Sequence, residues 1–218
     1  PPTTDNYTLS LHDALPILGA PVEIIGAGRT DAGVHAMGQV ASFQSVKRLD
    51  ISQLKRDLNH YLPSDIRVLA VEIMKGRFHA RHEAVQKHYR YLIQQDVVLP
   101  FERDYSILAP QLLDVEAMHE AGQIFVGTMD FTAFSNVKIG KKSTMKRIDS
   151  VSVFEEEGQI ILDFIGEGFL YHMVRKMVSA LVAVGTNEIS SGAIAHMITS
   201  KDRGTVPGLA PADRKSVV

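Results

Sequence analysis

The stretch that most constrains this fold runs from Gly26 to His35 and reads GAGRTDAGVH. It follows a short apolar run, residues 22–25, which predicts a buried strand delivering Asp31 onto a tight turn rimmed by glycines. Aspartates on such turns most often serve as turn or capping residues. The stretch therefore places a carboxylate at a strand end, either as a structural residue or as part of a functional site.

The composition is that of a globular protein with a sizeable core, with 45% hydrophobic and 22% charged residues among 218. The chain has no cysteine, so disulfides and thiolate chemistry are excluded. No apolar run approaches the roughly 18 residues that a membrane span requires. We therefore expect a soluble, cytoplasmic protein.

The basic residues are concentrated in two segments, although the formal net charge is -2. Residues 75–90 and 138–147 hold ten of the 23 lysines and arginines, and Glu83 is the only acid within them. A polyanion responds to the local field of such a patch more than to the total charge. The two segments therefore indicate either a phosphate-binding surface or two solvated loops.

Hydrophobic periodicity predicts runs of strands and runs of helices, and not a regular alternation of strand and helix. Strands are expected over residues 38–44, 66–74, 89–93, 148–154 and 159–165, and helices over residues 51–62, 114–126, 169–184 and from Ser190 or Ser191 onward. Asp50 and Asp114 are the expected N-caps of the first two helices. This order of elements favours an α+β fold with a mainly antiparallel sheet.

The chain is expected to consist of two halves between two flanks. Residues 18–99 form the first half, which carries Asp31, and residues 100–212 form the second. Residues 1–17 and 213–218 look like translated sequencing adapter, so we predict that they are non-native flanks. We accordingly expect a chain that is truncated at both ends.

Three histidines, His79, His82 and His88, invite a metal-site interpretation because imidazole is a common metal ligand. In an extended segment, however, residues three apart point to opposite faces of the strand. Glu83 is the only carboxylate nearby, which leaves a four-ligand site incomplete. We therefore expect no metal ion.

Three other residues have ordinary structural interpretations. Tyr89 and Tyr91 share one face of a predicted strand, which is typical of core packing. Arg175 lies within a strongly apolar helical pattern, where an arginine either pairs with an acid or extends its head group to solvent. The residues alone do not choose between these alternatives.

Four segments together resemble the tRNA pseudouridine synthase A family in their order and approximate spacing. They are residues 28–35 (GRTDAGVH), 78–91 (FHAR, then KHYRY), 169–178 (FLYHMVRKMV) and, more weakly, 127–134 (GTMDFTAF) with 143–148. The resemblance covers about residues 18–211. It implies an α+β fold in which two similar halves form a mainly antiparallel central sheet flanked by helices.

The resemblance implies an isomerase that converts uridine to pseudouridine in the anticodon stem-loop of tRNA, without metal or cofactor. Asp31 would be the nucleophile, Tyr89 would stack on the flipped target base, and Arg175 would pair with Asp31. A homodimer is expected on the same ground. The resemblance and the basic segments together predict RNA contacts by Arg29, Thr30, His35, Arg77, His79, Arg81, Lys141, Lys142 and Lys146. The alternative is a catalytically inactive RNA-binding fragment of the same fold.

Overall fold

The computed structural model describes residues 22–28, 30–31, 33–102, 104–138, 140, 143–211 and 216–217. The chain divides into two compact units. The first contains the described residues before Thr30 together with Gln39–Ala84, and the second contains Thr30–Gly38 together with Val85–Val218. The turn that carries Asp31 therefore belongs to the second unit, although the residues on both sides of it belong to the first.

The described part of the first unit contains a two-stranded ladder and one helix. Strand β1 (Ile25–Gly26) pairs antiparallel with β2 (Ala41–Ser42), and helix α1 spans Ile51–Tyr61. The carboxylate of Asp50 accepts a hydrogen bond of 2.9 Å from the backbone N–H of Gln53. This bond satisfies one of the free donors in the first turn of the helix, so the predicted N-cap is confirmed.

The strand predicted over residues 66–74 is absent, although the structure describes this whole segment. At Val68, the side chain of Asn59 on α1 takes the place of a partner strand. Its amide nitrogen donates to the carbonyl of Val68 at 3.0 Å, and its oxygen accepts from the Val68 N–H at 2.8 Å. One side chain thereby satisfies backbone groups that a neighbouring strand would otherwise bind.

The second unit contains a six-stranded sheet with the order β4-β3-β7-β6-β5, and β8 also pairs with β3. All pairings are antiparallel except that of β3 with β4. The strands are β3 (Lys87–Gln94), β4 (Ile107–Leu108), β5 (Gly127–Asp130), β6 (Met145–Glu156), β7 (Gln159–Gly166) and β8 (Ser216–Val217). The strands predicted over residues 89–93, 148–154 and 159–165 are thus the long central strands of this sheet.

Helices and the inward face of the sheet share one core in the second unit. Ile160, Leu162 and Phe164 alternate along β7 and are fully buried, as are Met177 and Leu181 of the longest helix. The helices are α2 (Val115–Gly122), α3 (Met173–Gly185) and α4 (Ser191–Ser200). The predicted α+β class, with a mainly antiparallel sheet flanked by helices, is confirmed.

Gly166, the last residue of β7, lies closely against the backbone of β6. A Cβ atom added there would lie 2.7 Å from the carbonyl oxygen of Arg147. Backbone inside a paired sheet cannot yield as the end of a flexible side chain can. We expect Gly166→Ala to lower the free energy of unfolding by about 1–3 kcal/mol in urea denaturation. Gly168→Ala is the control, because its added Cβ meets no such atom within 4 Å; equal losses in both variants would contradict the steric explanation.

Candidate active site

Asp31 lies on a hydrogen-bonded turn at the start of the second unit. Its carbonyl oxygen accepts a bond of 3.1 Å from the N–H of Val34, and Gly33 has a φ angle of 82°. A positive φ at the third residue of a turn is typical of type II and favours glycine. The Asp31 side chain is 30% exposed, so its carboxylate remains accessible from solvent.

The guanidinium of Arg175 contacts the Asp31 carboxylate. Arg175 lies in the first turn of α3, and its Nη1 donates to Oδ2 of Asp31 at 3.3 Å. Its Nε donates to the carbonyl of Ala210 at 2.8 Å. Since only 18% of this side chain is exposed, the guanidinium is held at two points and does not extend into solvent. The structure thus brings together two of the three residues expected to be catalytic.

His172 is a second contact of Asp31 and was not among the predicted site residues. Its Nε2 lies 3.5 Å from Oδ2 of Asp31, and its Nδ1 lies 2.8 Å from Nδ2 of Asn136. Burial lowers the pKa of His172, Asp31 opposes that shift, and the positive charges of Arg175 and Lys176 add to it. The net lowering of the pKa favours the neutral form of the ring.

The backbone of His172 explains why α3 begins later than predicted. His172 is the N-cap of α3 and has a φ angle of 64°, in the left-handed region that non-glycine residues seldom adopt. The helix therefore starts at Met173 and not at Phe169. The ring of Tyr171 stacks on that of His172 with centroids 3.7 Å apart. Strained backbone of this kind concentrates at functional sites, and periodicity does not reveal it.

Tyr89 lies on β3 at the border of the main core. Its ring meets that of Phe169 edge to face, with centroids 5.0 Å apart. In the antiparallel register of β3 and β8, Tyr89 lies opposite Ser216. The residue is half-buried, whereas Tyr91 on the same strand is 1% exposed. Tyr91 therefore fits the core interpretation fully, while part of Tyr89 remains accessible.

The predicted RNA contacts in the second unit occupy different environments. Thr30 is half-buried next to Asp31, and His35 is exposed, with its ring centroid 4.8 Å from that of Tyr105. Lys146 Nζ lies 3.6 Å from Oε1 of Glu167. That acid is distant in sequence and reaches Lys146 only because β6 pairs with β7, so the linear charge count overstated the positive field of this segment.

The first basic segment supplies the predicted RNA contacts of the first unit. Arg77 and His79 line a cleft of about 440 Å³, together with Glu23 and Phe43. Arg81 is exposed. The remaining predicted contacts, Arg29, Lys141 and Lys142, lie outside the described residues.

The histidines that suggested a metal are arranged for other contacts. His79 and His82 have ring centroids 4.0 Å apart, and Nε2 of His88 lies 2.9 Å from Oδ1 of Asp163. Within the described ranges, no group of three histidine or acidic residues is placed to hold a metal ion. Among the described residues, no helix combines the length and the hydrophobicity that a membrane span requires.

Comparisons with known proteins define the class. A family model described as tRNA pseudouridine synthase matches residues 4–91 and 121–216. tRNA pseudouridine synthase A 2 of Bacillus anthracis is 44% identical over 197 residues, which cover 90% of this chain and 80% of that protein. tRNA pseudouridine synthase A of Limosilactobacillus reuteri (strain DSM 20016) is 38% identical over 194 residues, which cover 88% and 76%.

These matches identify an RNA-modifying isomerase, and the two segments matched by the family model suggest two similar halves. The chain belongs to the tRNA pseudouridine synthase A family, as its four motifs suggested. Membership supports the isomerisation of uridine in tRNA.

Proposed function

We propose that this protein forms pseudouridine in the anticodon stem-loop of tRNA and that Asp31 is its nucleophile. The observation that carries the proposal is the convergence of Arg175 and His172 on Oδ2 of an accessible aspartate. A glycine-supported turn and a half-buried guanidinium together keep this carboxylate in one place. Such restraint is more than a turn residue or a cap requires.

The Asp31 carboxylate has two routes for attack. It forms a bond to ribose C1′ as the N1–C1′ bond breaks, or it adds to C6 of the uracil before that bond breaks. In both routes the base turns and rejoins the ribose through C5. After attack at C1′, the carboxylate leaves C1′ as the new carbon–carbon bond forms; after addition to C6, it leaves C6 when C5 loses its hydrogen and the C5=C6 double bond returns. N1 gains a proton and the C5 hydrogen is lost to solvent, so the reaction needs no redox partner. We therefore propose that the reaction uses neither a metal ion nor a cofactor.

The target uridine must leave its stack before Asp31 can reach it. We propose that Tyr89 stacks on the flipped base, because an aromatic face restores roughly 1–3 kcal/mol of lost stacking. Its packing against Phe169 limits the motion of the ring. The proposed RNA contacts are Arg29, Thr30, His35, Arg77, His79, Arg81, Lys141, Lys142 and Lys146. A homodimer in the cytoplasm completes the proposal, on the strength of the family resemblance.

Tritium release tests the proposed reaction, because isomerisation expels the hydrogen on uridine C5. We expect release from tRNA labelled at C5 of its uridines. Replacing the anticodon-arm uridines by cytidine should remove that release while the other labelled uridines remain. Binding of both tRNAs without release from either would indicate an inactive RNA-binding protein.

A further inference from the structure

Asn136 contacts His172 and lies outside the four family-like motifs. Its backbone N–H donates to the carbonyl of Tyr171 at 3.1 Å, and its Nδ2 lies 2.8 Å from Nδ1 of His172. Asn136 therefore holds both the turn before α3 and the imidazole ring that this turn presents to Asp31.

Two cations hold the loop that carries this asparagine. The buried Lys176 donates from Nζ to the carbonyl of Ala133 at 3.1 Å. Arg203 donates from Nε to the carbonyl of Thr132 at 3.2 Å and from Nη2 to that of Val137 at 2.5 Å. Charge-assisted bonds to carbonyls on both sides of the asparagine hold the backbone from which its side chain extends.

An amide nitrogen donates and does not accept, so a hydrogen bond from Nδ2 of Asn136 requires an unprotonated Nδ1 on His172, with the ring proton on Nε2. Nε2 is the nitrogen that lies 3.5 Å from Oδ2 of Asp31. We propose that Asn136 is a positioning residue that fixes the Nε2–H tautomer of His172 and so directs an N–H group toward the nucleophile. The functional part of this inference rests on the proposed role of Asp31.

The neutral ring suits that role. The charged groups that act on it are Asp31, Arg175 and Lys176, and burial lowers the pKa of His172. A neutral N–H orients the carboxylate without adding a second positive charge. An imidazolium would form a second ion pair with the carboxylate and make it a weaker nucleophile. His172 in the Nε2–H form therefore orients Asp31 and leaves Arg175 as its charge partner.

Nitrogen-15 NMR of the histidine rings tests this directly, with His172→Gln to assign the signals. We expect a protonated Nε2 and an unprotonated Nδ1 at neutral pH. Asn136→Asp replaces the donor by an acceptor, which should move a proton to Nδ1 and raise the titration midpoint of His172. The single-turnover rate should fall at least about tenfold, as for one hydrogen bond to a charged group.

Asn187→Asp is the matched control, because it adds the same charge just beyond the far end of α3. It should leave the His172 signals unchanged. An unprotonated Nε2 in the parent protein, or the same tautomer in Asn136→Asp, would overturn the inference. The ring signals are measured without RNA, so they are informative whether or not Asp31 is the nucleophile.

A basic surface of the first unit, here called the α1 cleft, is a shallow, open depression of about 390 Å³ lined by Lys55, Arg56, Asn59, His60 and Arg67. It belongs to the first unit and lies outside both basic segments of the sequence. Two arginines and a lysine are among these five lining residues, and none of the five carries a carboxylate. A concave surface with this lining favours an anionic ligand.

The charges of the α1 cleft are not neutralised by neighbouring acids. Among the described residues, no ion pair involves Lys55, Arg56 or Arg67. Arg56 donates to the neutral side-chain oxygen of Gln53 at 2.7 Å. The bonds between Asn59 and Val68 hold the segment after Arg67 against α1. The cleft therefore presents its cations on a fixed backbone.

We infer that the α1 cleft binds phosphates of the tRNA backbone. Naming tRNA as the polyanion rests on the proposed function. Guanidinium and ammonium groups suit phosphate oxygens. The test is the salt dependence of tRNA binding by the double variant Lys55→Gln, Arg67→Gln. Its log–log slope should flatten by about two units if each cation contributes one contact.

The matched control is Lys47→Gln, Arg48→Gln, which removes two exposed positive charges from the same unit. Its slope should remain that of the parent protein. An unchanged slope in the cleft variant, or equal changes in both variants, would overturn the inference. Because binding is measured without turnover, a failure of the proposed reaction leaves this result interpretable.

Discussion

Asp31→Asn is expected to abolish pseudouridine formation while changing tRNA affinity by less than about tenfold. The amide is neutral and nearly the same size, so it preserves the turn but cannot attack carbon as a carboxylate does. Affinity comes mostly from phosphate contacts elsewhere on the protein. Single-turnover tritium release and the dissociation constant, measured on the same preparation, separate the two effects.

Asp96→Asn provides the control for this substitution, since Asp96 is an exposed aspartate of the same unit. It should retain the parent rate. A parent-like rate in Asp31→Asn would remove Asp31 from the chemistry, and a lost rate in both variants would show that the assay reports stability or net charge.

Arg175→Met is expected to slow the single-turnover step by roughly 100- to 1,000-fold, as for the loss of one group that stabilises developing charge. Methionine keeps much of the apolar stem but loses the bond to Asp31 Oδ2 and the bond to the Ala210 carbonyl. The carboxylate then lacks its charge partner and keeps His172 as a contact of Oδ2. The dissociation constant for tRNA should change much less than the rate.

Arg175→Lys is the informative companion variant, because it keeps the charge but not the forked geometry of the guanidinium. It should lie between the parent protein and Arg175→Met in rate. Normal single-turnover chemistry with weakened binding in Arg175→Met would show instead that Arg175 is an RNA contact.

Local chemistry explains which parts of the fold were predictable. Asp50 and Asp114 each accept from a backbone N–H three residues later, which is a signal carried within one turn of chain. Apolar side chains alternate along residues 148–154 and 159–165, a pattern that predicts a hairpin with one buried face, and both segments form strands. These elements follow from neighbouring residues alone.

Other features depend on contacts between distant residues. Asn59 satisfies the backbone of Val68, so an apolar alternation that suggested a strand stayed unpaired. Glu167 neutralises part of the charge of Lys146 only after the sheet has formed. His172 reaches Asp31 through a left-handed residue, which hydrophobic periodicity cannot reveal. The contact between Arg175 and Asp31 was predicted from the family resemblance, because helical spacing alone does not identify a partner for Arg175.

A tRNA with 5-fluorouridine at the target position tests the central claim most directly. Fluorine at C5 is not released as the ordinary hydrogen is, so the reaction stalls while protein and RNA remain joined. We predict a heat-sensitive adduct whose attachment, located by mass spectrometry, lies on the peptide that carries Asp31 and which Asp31→Asn does not form. An adduct on any other residue, or one that Asp31→Asn forms equally well, would contradict the assignment of Asp31 as the nucleophile.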